Sequence, residues 1–387
     1  MRLDINQQAF FELLRVGLFP VRDDGVMVVD SIFKDVDWKL VYQLAREQSV
    51  QGLVLQGTEV VQRSWLKAYG SPLVPKALLL QWIGEVQVIE KRNKEMNVFI
   101  SELIEQLRKE NIHAILVKGQ GIAQCYERPL WRCSGDIDLY LDEDDFQKAK
   151  KFFRPLVNKF DPDDEYTRHI NMHYREWTVE IHANQHCALS QQINRILDDV
   201  HRDLFYRGKI RNWINNKTRI LLPSADNDAL IIFTHFFNHF YKGGVGLRQI
   251  CDWCRLLWIY RDTLDLGLLE KRIRESGLLD EWRTFGAFAV KYLCMPIEAM
   301  PFLDYNLNSN LKKKANMICK FIMEVGNFGH NRDTSYYGKY PFLIRKTISL
   351  GYRCADFIHH ARIFPMDTLR FFPYMMFNGV RNAMKGE

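Results

Sequence analysis

The chain has 387 residues, of which 47% are hydrophobic and 26% are charged. This length predicts two or three packed units, and this composition excludes a wholly disordered chain. A net charge of +6, from 53 basic against 47 acidic residues, suits an anionic ligand such as a nucleotide, but over this length it does not indicate binding to long nucleic acids.

The eight cysteines are scattered, and most lie in apolar contexts of helical spacing. This pattern favours a reduced protein over a disulfide framework. The first 20 residues carry acidic and polar residues where a signal peptide needs an uninterrupted apolar core. No segment approaches the roughly 20 apolar residues that span a bilayer. We therefore expect a cytoplasmic protein without a transmembrane segment.

Helical periodicity dominates residues 1–110, most clearly from Trp38 and again from Lys76 to Glu110. The period changes at His113, where HAILV predicts a short strand. Glycines 119 and 121 then break the chain, and residues 121–127 are predicted as a short helix. The segment GDIDLYL, residues 135–141, predicts a second strand.

A helix is predicted over residues 142–153, because its acidic residues crowd into the first turn where the helix dipole favours them. Residues 161–164 are predicted as a loop. Two strands, 166–174 and 177–183, form a predicted hairpin that turns at Arg175 and Glu176. Residues 191–206 predict a helix, residues 209–222 a further hairpin, and from residue 223 helices continue nearly to the end, with a loop at 326–339.

The alternation of these segments predicts an α+β fold. A small mixed sheet with helices, residues 111–222, is expected between an N-terminal helical region, 1–110, and a C-terminal helical region, 223–387. We treat these three ranges as the predicted domains.

Two aspartates on the second predicted strand carry the main chemical signal. Asp136 and Asp138 are two residues apart, so their side chains point to the same face of a strand, roughly 7 Å apart along it. Paired carboxylates of this kind suit a divalent cation that also binds phosphate. Taken alone, an Asp-x-Asp pair is more often a solvated strand face.

A strand, a glycine turn, a short helix and a strand with Asp-x-Asp follow one another in the DNA polymerase beta-like nucleotidyltransferases, which this chain resembles. More narrowly, the segments KGQGIAQCY, RCSGDIDL and VEIH resemble a family of uncharacterised bacterial nucleotidyltransferases. The matching residues are Lys118, Gly119, Gly121, Tyr126, Arg132, Asp136, Asp138, Glu180 and His182. His235 and His239, followed by GLRQICDW, also resemble that family's pattern.

The resemblance implies a nucleotidyltransferase-type sheet and a site for an NTP with Mg²⁺ or Mn²⁺. Asp136, Asp138 and Glu180 would hold the metal and catalyse transfer. Glu180 alternates with two apolar residues of its strand, so it should point toward the aspartates. The implied reaction moves a nucleoside monophosphate to an acceptor and releases pyrophosphate.

The same resemblance implies that nucleotide binding involves the glycine turn, through the backbone N–H groups of Gly119, Gln120 and Gly121. Lys118 or Arg132 would neutralise phosphate charge. Two departures bear on activity: the superfamily usually has Gly-Ser where this chain has Gly119 and Gln120, and its third acid is usually Asp rather than Glu.

Five further residues are candidates for contacts to the acceptor or for supporting the site: His182, Tyr126, His239, Arg248 and Asp252. The acceptor itself stays open among a small molecule, a sugar, a protein hydroxyl and an RNA end. The aromatic and basic segment 352–384 predicts either a helix that closes the core or one that contacts a membrane surface peripherally.

Zinc is a weaker alternative for the histidine pairs. His169 with His173, and His182 with His186, lie on predicted strands, where an i, i+4 pair is about 13 Å apart and cannot share one zinc. His235 and His239 share a helix face, but no third ligand is evident. Two other hypotheses for the chain stay open: an inactive nucleotide-binding or partner-binding module of the same fold, and a scaffold at a membrane surface.

Overall fold

The described part of the N-terminal segment contains the α-helices α1 (Ile5–Leu18), α2 (Trp38–Glu47), α3 (Gln51–Tyr69) and α4 (Lys76–Lys109). These positions come from a computed structural model, which describes residues 3–19, 30–157, 168–327 and 341–384. The predicted loop at 161–164 and most of the predicted loop at 326–339 lie outside the described residues.

The middle of the chain contains all six strands of the described residues. In order it comprises β1 (Ile115–Val117), α5 (Gly119–Ala123), β2 (Asp136–Tyr140), α6 (Glu143–Phe153), β3 (His169–Tyr174), β4 (Trp177–His182), α7 (Gln191–Tyr206), β5 (Ile210–Asn215) and β6 (Thr218–Pro223). The short helix α5 begins and ends earlier than the predicted range of 121–127, because Gly119, with φ of +41°, turns the chain directly after β1.

Helices follow to the end of the described chain: α8 (Ala225–Lys242), α9 (Leu247–Tyr260), α10 (Leu266–Ser276), α11 (Leu279–Tyr292), α12 (Ser309–Val325), α13 (Phe342–Ile363) and α14 (Pro365–Met384). None of the helices in the described parts of the chain is both long enough and apolar enough to cross a bilayer.

The sheet is mixed, with the strand order β3-β4-β2-β1-β6-β5. The central strand β1 runs antiparallel to β2 and parallel to β6, while β2 runs parallel to β4. The predicted α+β class with a mixed sheet is therefore confirmed. The pairing of β2 with β4 joins two segments about 40 residues apart and sets Asp138 directly opposite Glu180.

The alternation of polar and apolar residues explains which face of β4 carries its polar side chains. Val179 and Ile181 are fully buried in the core beneath the sheet, while Glu180 and His182 are partly exposed on the other face. Because side chains alternate along a strand, burial of the apolar pair fixes the direction of the polar pair.

A close crossing of α1 and α3 anchors the N-terminal helices. A Cβ atom on Gly57 would lie 1.9 Å from the Leu13 carbonyl oxygen, and one on Gly17 would lie 1.9 Å from the Leu53 carbonyl oxygen. The two backbones therefore approach more closely than any larger residue allows. The buried cluster to which α1 contributes continues through Ile122 of α5 into the C-terminal helices.

Candidate active site

Three side chains from β2 and β4 form the acidic part of a cavity. Ligand atoms of Asp138, Glu180 and His182 all lie within 4.8 Å of one another. Asp136 stands one strand repeat away, opposite Thr178, and lines the same cavity. The structure thus brings the three predicted carboxylates to one cavity, and it adds His182 to the closest group.

Asp138 is 3% exposed, and two neighbours satisfy its charge. The Lys118 ammonium lies 2.7 Å from its Oδ1 atom, and His182 Nε2 lies 3.1 Å from the same atom. Burial acts to raise the pKa of Asp138, but the charge of Lys118 and the hydrogen bond from His182 hold that pKa well below its usual range. Asp138 is therefore ionised at neutral pH.

The same contacts shift the pKa values of the groups around Asp138. Burial acts to lower the pKa values of Lys118 and His182, but the carboxylates of Asp138 and Glu180 outweigh burial and raise both. Glu180 lies 3.5 Å from His182 Nε2, and this contact lowers its pKa although burial opposes the shift. The cluster therefore favours ionised carboxylates beside cationic partners.

Asp136 behaves differently from Asp138. The negative charge of Asp138 is the largest influence on it, followed by burial, and together they raise the pKa of Asp136. Two carboxylates held this close repel each other unless further positive charge lies between them. Asp136 therefore marks the part of the acidic cluster that a bound cation would stabilise most.

The predicted phosphate-binding turn is only partly directed into the cavity. Lys118, with φ of 57°, and Gly119 line the cavity. Gln120 does not line it, and its Nε2 atom donates to Asn93 Oδ1 at 2.8 Å. Gly121 packs on β6, where an added Cβ would lie 2.8 Å from the Leu222 side chain. Both residues are buried, and the predicted contact of the backbone N–H groups of residues 119–121 with phosphate stays a prediction.

Arg132 forms a buried ion pair with Asp252 of α9. Its Nε and Nη2 atoms donate to the two carboxylate oxygens at 2.8 Å and 2.6 Å, and each side chain is 7% exposed. Tyr126 adds a third bond to Asp252, at 2.7 Å. Arg132 Nη1 also donates to Ser134 Oγ at 2.9 Å. This network ties α9 to the loop that leads into β2.

Arg132, predicted to neutralise phosphate, thus has its charge balanced by Asp252. Tyr126 does not line the cavity and reaches it only through Asp252. Arg132 positions the segment that carries Asp136, because it bonds to Cys133 and Ser134 as well as to Asp252 of α9, and Tyr126 supports it through Asp252.

The opposite wall of the cavity comes from α8 and α9. His235 Nε2 and His239 Nε2 lie 3.1 Å apart, which fits one donor and one acceptor. Burial, followed by the charge of Lys118, lowers the pKa of both rings, to about 4 for His239. Both are therefore neutral at pH 7. In the described residues they are not part of any three-ligand group.

Arg248, at the start of α9, is held by a hydrogen bond from Nη1 to the Cys133 carbonyl oxygen at 2.9 Å. The cavity that it lines has a volume of about 400 Å³, enough for a small ligand. Several polar residues of the cavity were not found from the sequence: His169, Asn184, Gln185, Asn238, Lys242 and Gln249. Three of them had a signal nearby: Gln249 adjoins Arg248 in the GLRQICDW segment, Asn238 adjoins His239, and Asn184 lies two residues after His182.

The residues present fit a divalent cation. Carboxylate oxygens from neighbouring strands are the ligands that Mg²⁺ and Mn²⁺ prefer, and His182 is compatible with Mn²⁺. Three carboxylates, those of Asp136, Asp138 and Glu180, line one cavity, and the charge of Asp138 raises the pKa of Asp136. Asp138 and Glu180, with Asp136 beside them, would therefore hold the ion.

Comparison with known proteins adds one family. The model of a family described as "Uncharacterised nucleotidyltransferase" matches residues 34–293, which is more than half of the chain and runs from before α2 into the loop after α11. The match contains every residue of the cavity described above. No curated protein and no solved structure matches the chain.

Proposed function

The chain belongs to this family of uncharacterised nucleotidyltransferases, and we propose that it transfers a nucleoside monophosphate from an NTP to an acceptor that carries a hydroxyl group. We propose further that this reaction needs a divalent metal. The observation that carries the proposal is the set of carboxylates on paired strands, Asp136 and Asp138 on β2 with Glu180 opposite Asp138 on β4. Their cavity also contains Lys118 and Arg248, so an anionic substrate meets both carboxylates and cations there.

When bound, the metal ions would neutralise phosphate oxygens and activate the acceptor oxygen. The chain's own part begins with Asp138 and Glu180, which are ionised at neutral pH and so are able to bind cations. His182 bonds to Asp138 and faces Glu180, and it therefore orients both carboxylates. Lys118 brings an ammonium group to the same point and would reduce the charge of the phosphates.

Proton transfer from the acceptor needs a base that is unprotonated at neutral pH. Glu180 is the candidate because it is ionised at neutral pH and its partly exposed side chain faces the cavity. Attack of the acceptor oxygen on the α-phosphorus forms one P–O bond and breaks the bond to the β-phosphate, so that pyrophosphate leaves. The acceptor, which could be a small molecule, a sugar, a protein or an RNA end, would lie toward His239 and the α8 wall.

A second candidate function is nucleotide binding without transfer. The Lys118 ammonium already contacts Asp138, and position 120, where the superfamily usually has serine, offers a glutamine amide that is turned away from the cavity. Both features would suit a module that binds a nucleotide and acts through its helical regions. We rank it second because the three carboxylates are all in place.

The test measures metal binding and transfer separately. Mn²⁺ binding is followed by electron paramagnetic resonance, and transfer by pyrophosphate release and by label from each NTP in the presence of a cell extract. We expect Asp138→Asn to weaken Mn²⁺ binding and to abolish label transfer. The control is Asp144→Asn, the same change at an exposed acid of α6 outside the cavity.

Each outcome separates the two functions. Label transfer that disappears in Asp138→Asn but persists in Asp144→Asn supports the enzyme. Binding of nucleotide with metal, without transfer to any component of the extract, supports the binding module. Absence of nucleotide binding in the unmodified protein would refute both.

A further inference from the structure

The cationic side chains of the cavity differ in what balances their charge. Lys118 pairs with Asp138, and Arg132 pairs with Asp252. Arg248 has no carboxylate within ion-pairing distance among the residues that the structure describes. Because the guanidinium stays charged in proteins, a half-buried arginine without a counter-ion is suited to an anionic ligand.

The contacts of Arg248 leave one side of the guanidinium free. Nη1 donates to the Cys133 carbonyl oxygen at 2.9 Å, which fixes the plane of the group. Nε is buried and has no hydrogen-bond acceptor in the described structure. Cys133 lies three residues before Asp136, and Arg248 and Asp136 line the same cavity, so one ligand can contact both the guanidinium and the acidic cluster.

Gln249 provides a second donor at the same place. Its Oε1 atom accepts a hydrogen bond from the Gly246 N–H at 2.8 Å, so its Nε2 atom must be the end of the amide that faces away from Gly246. That Nε2 atom is buried without an acceptor in the described residues, and the side chain is 6% exposed. Both Arg248 and Gln249 line the cavity.

These groups share one chemical property, since the free atoms of both side chains are donors. They also lie in the first turn of α9, a 14-residue helix whose dipole favours negative charge at this end. A ligand that fits must offer acceptor oxygens and negative charge. A phosphate group has both.

We propose that Arg248 and Gln249 form the subsite for the terminal phosphates of the NTP, which become the pyrophosphate product. This inference rests on the proposed function and assigns to Arg248 the phosphate contact that the sequence suggests for Arg132. The subsite lies on the α9 side of the cavity. Arg248 would therefore determine whether the site distinguishes a triphosphate from a monophosphate.

The experiment uses the full chain with Mg²⁺ and two probes, inorganic pyrophosphate and a nucleoside monophosphate, by isothermal titration calorimetry. Arg248→Met removes one charge-assisted contact, so we expect it to weaken pyrophosphate binding roughly 10- to 100-fold. The affinity for the monophosphate should not change. Arg248→Lys keeps the positive charge but lacks the planar guanidinium donors, so its affinity for pyrophosphate should lie between those of the unmodified protein and Arg248→Met. Gln249→Met removes one neutral donor and should weaken pyrophosphate binding less.

The control is Arg195→Met, an exposed position of α7 outside the cavity, which should leave both affinities unchanged. If Arg248→Met does not fold, Arg248→Lys and Gln249→Met still test the subsite. Equal losses for both probes, or no loss for pyrophosphate, would overturn the subsite while the unmodified protein still binds NTP. If the unmodified protein binds neither probe with metal, the subsite and the proposed function are both wrong.

Discussion

Replacing Asp252 with Asn tests whether the C-terminal helices hold the segment before β2 in place. In the unmodified chain Asp252 accepts two bonds from Arg132, at 2.8 Å and 2.6 Å, with both side chains 7% exposed. The change removes the negative charge and points an amide donor at an Arg132 donor. Removing one partner of a buried ion pair costs about 3–5 kcal/mol, because the remaining charge is left without compensation.

The measurement is urea unfolding at pH 7, with the free energy extrapolated to zero denaturant. The matched control is Glu102→Gln, which breaks an arginine–carboxylate pair of similar length with Arg175, 2.9 Å, whose side chains are 51% and 48% exposed. Exposed pairs contribute about 0–1 kcal/mol, so the control should change stability little. A loss below about 1 kcal/mol in Asp252→Asn would refute the reasoning.

A double-mutant cycle separates the pair from the cost of an unpaired charge. The double variant Arg132→Met with Asp252→Leu lacks both charges of the pair. It should therefore be more stable than either of its single variants, each of which leaves one charge of the pair buried without its partner. Because Arg132 also bonds to Ser134, two residues before Asp136, we expect both single variants to weaken Mn²⁺ binding as well.

Two further predictions concern stability away from the cavity. Burial, and then the hydrogen bond and charge of Asp367, raises the pKa of Glu281 to about 10. The raised pKa of Glu281 contributes fully to the free energy of unfolding below the unfolded pKa of 4.5, and this contribution is lost as the pH rises toward 10. In Glu281→Gln the free energy of unfolding should therefore change less with pH between about pH 5 and pH 9. An unchanged pH dependence in this variant would contradict the prediction. Gly57→Ala should destabilise the protein by about 1–3 kcal/mol or more, because the added Cβ would lie 1.9 Å from the Leu13 carbonyl oxygen. The control is Gly84→Ala, which has no other atom within 4 Å of the added Cβ and should stabilise the protein by about 0.5–1 kcal/mol. Thermal or urea unfolding measures both effects. Equal effects of the two substitutions would show that the crossing of α1 and α3 is not as close as described.

The order of the elements and the direction of the carboxylates could be predicted because both depend on local periodicity. Asp136 and Asp138 share a face by strand geometry, and Glu180 faces away from Val179 and Ile181 for the same reason. The exact pairing of Asp138 with Glu180 requires knowing that β2 and β4 are neighbours. No local pattern shows this, although the resemblance implied it.

The pairing of charges could not be predicted, because it depends on which helices pack against the sheet. Arg132 and Asp252 are 120 residues apart, and only the position of α9 brings them together. The direction of the Gln120 side chain likewise depends on where α5 begins, two residues before the predicted start. Sequence patterns name the charged residues, whereas packing determines which of them remain available to a ligand.

The predicted boundary at residue 222 separates two parts of one cavity. The sheet side, ending at β6, carries the carboxylates and Lys118, and the helical side, from α8 onward, carries His239, Arg248 and Gln249. A nucleotide bound with metal would need both sides, since the cations bind to the sheet and the free donors lie on α9. The Arg132–Asp252 pair joins these two sides, which is why we expect its loss to influence metal binding. The boundary at residue 222 stays a prediction, and under the proposed function neither side alone has the groups for transfer.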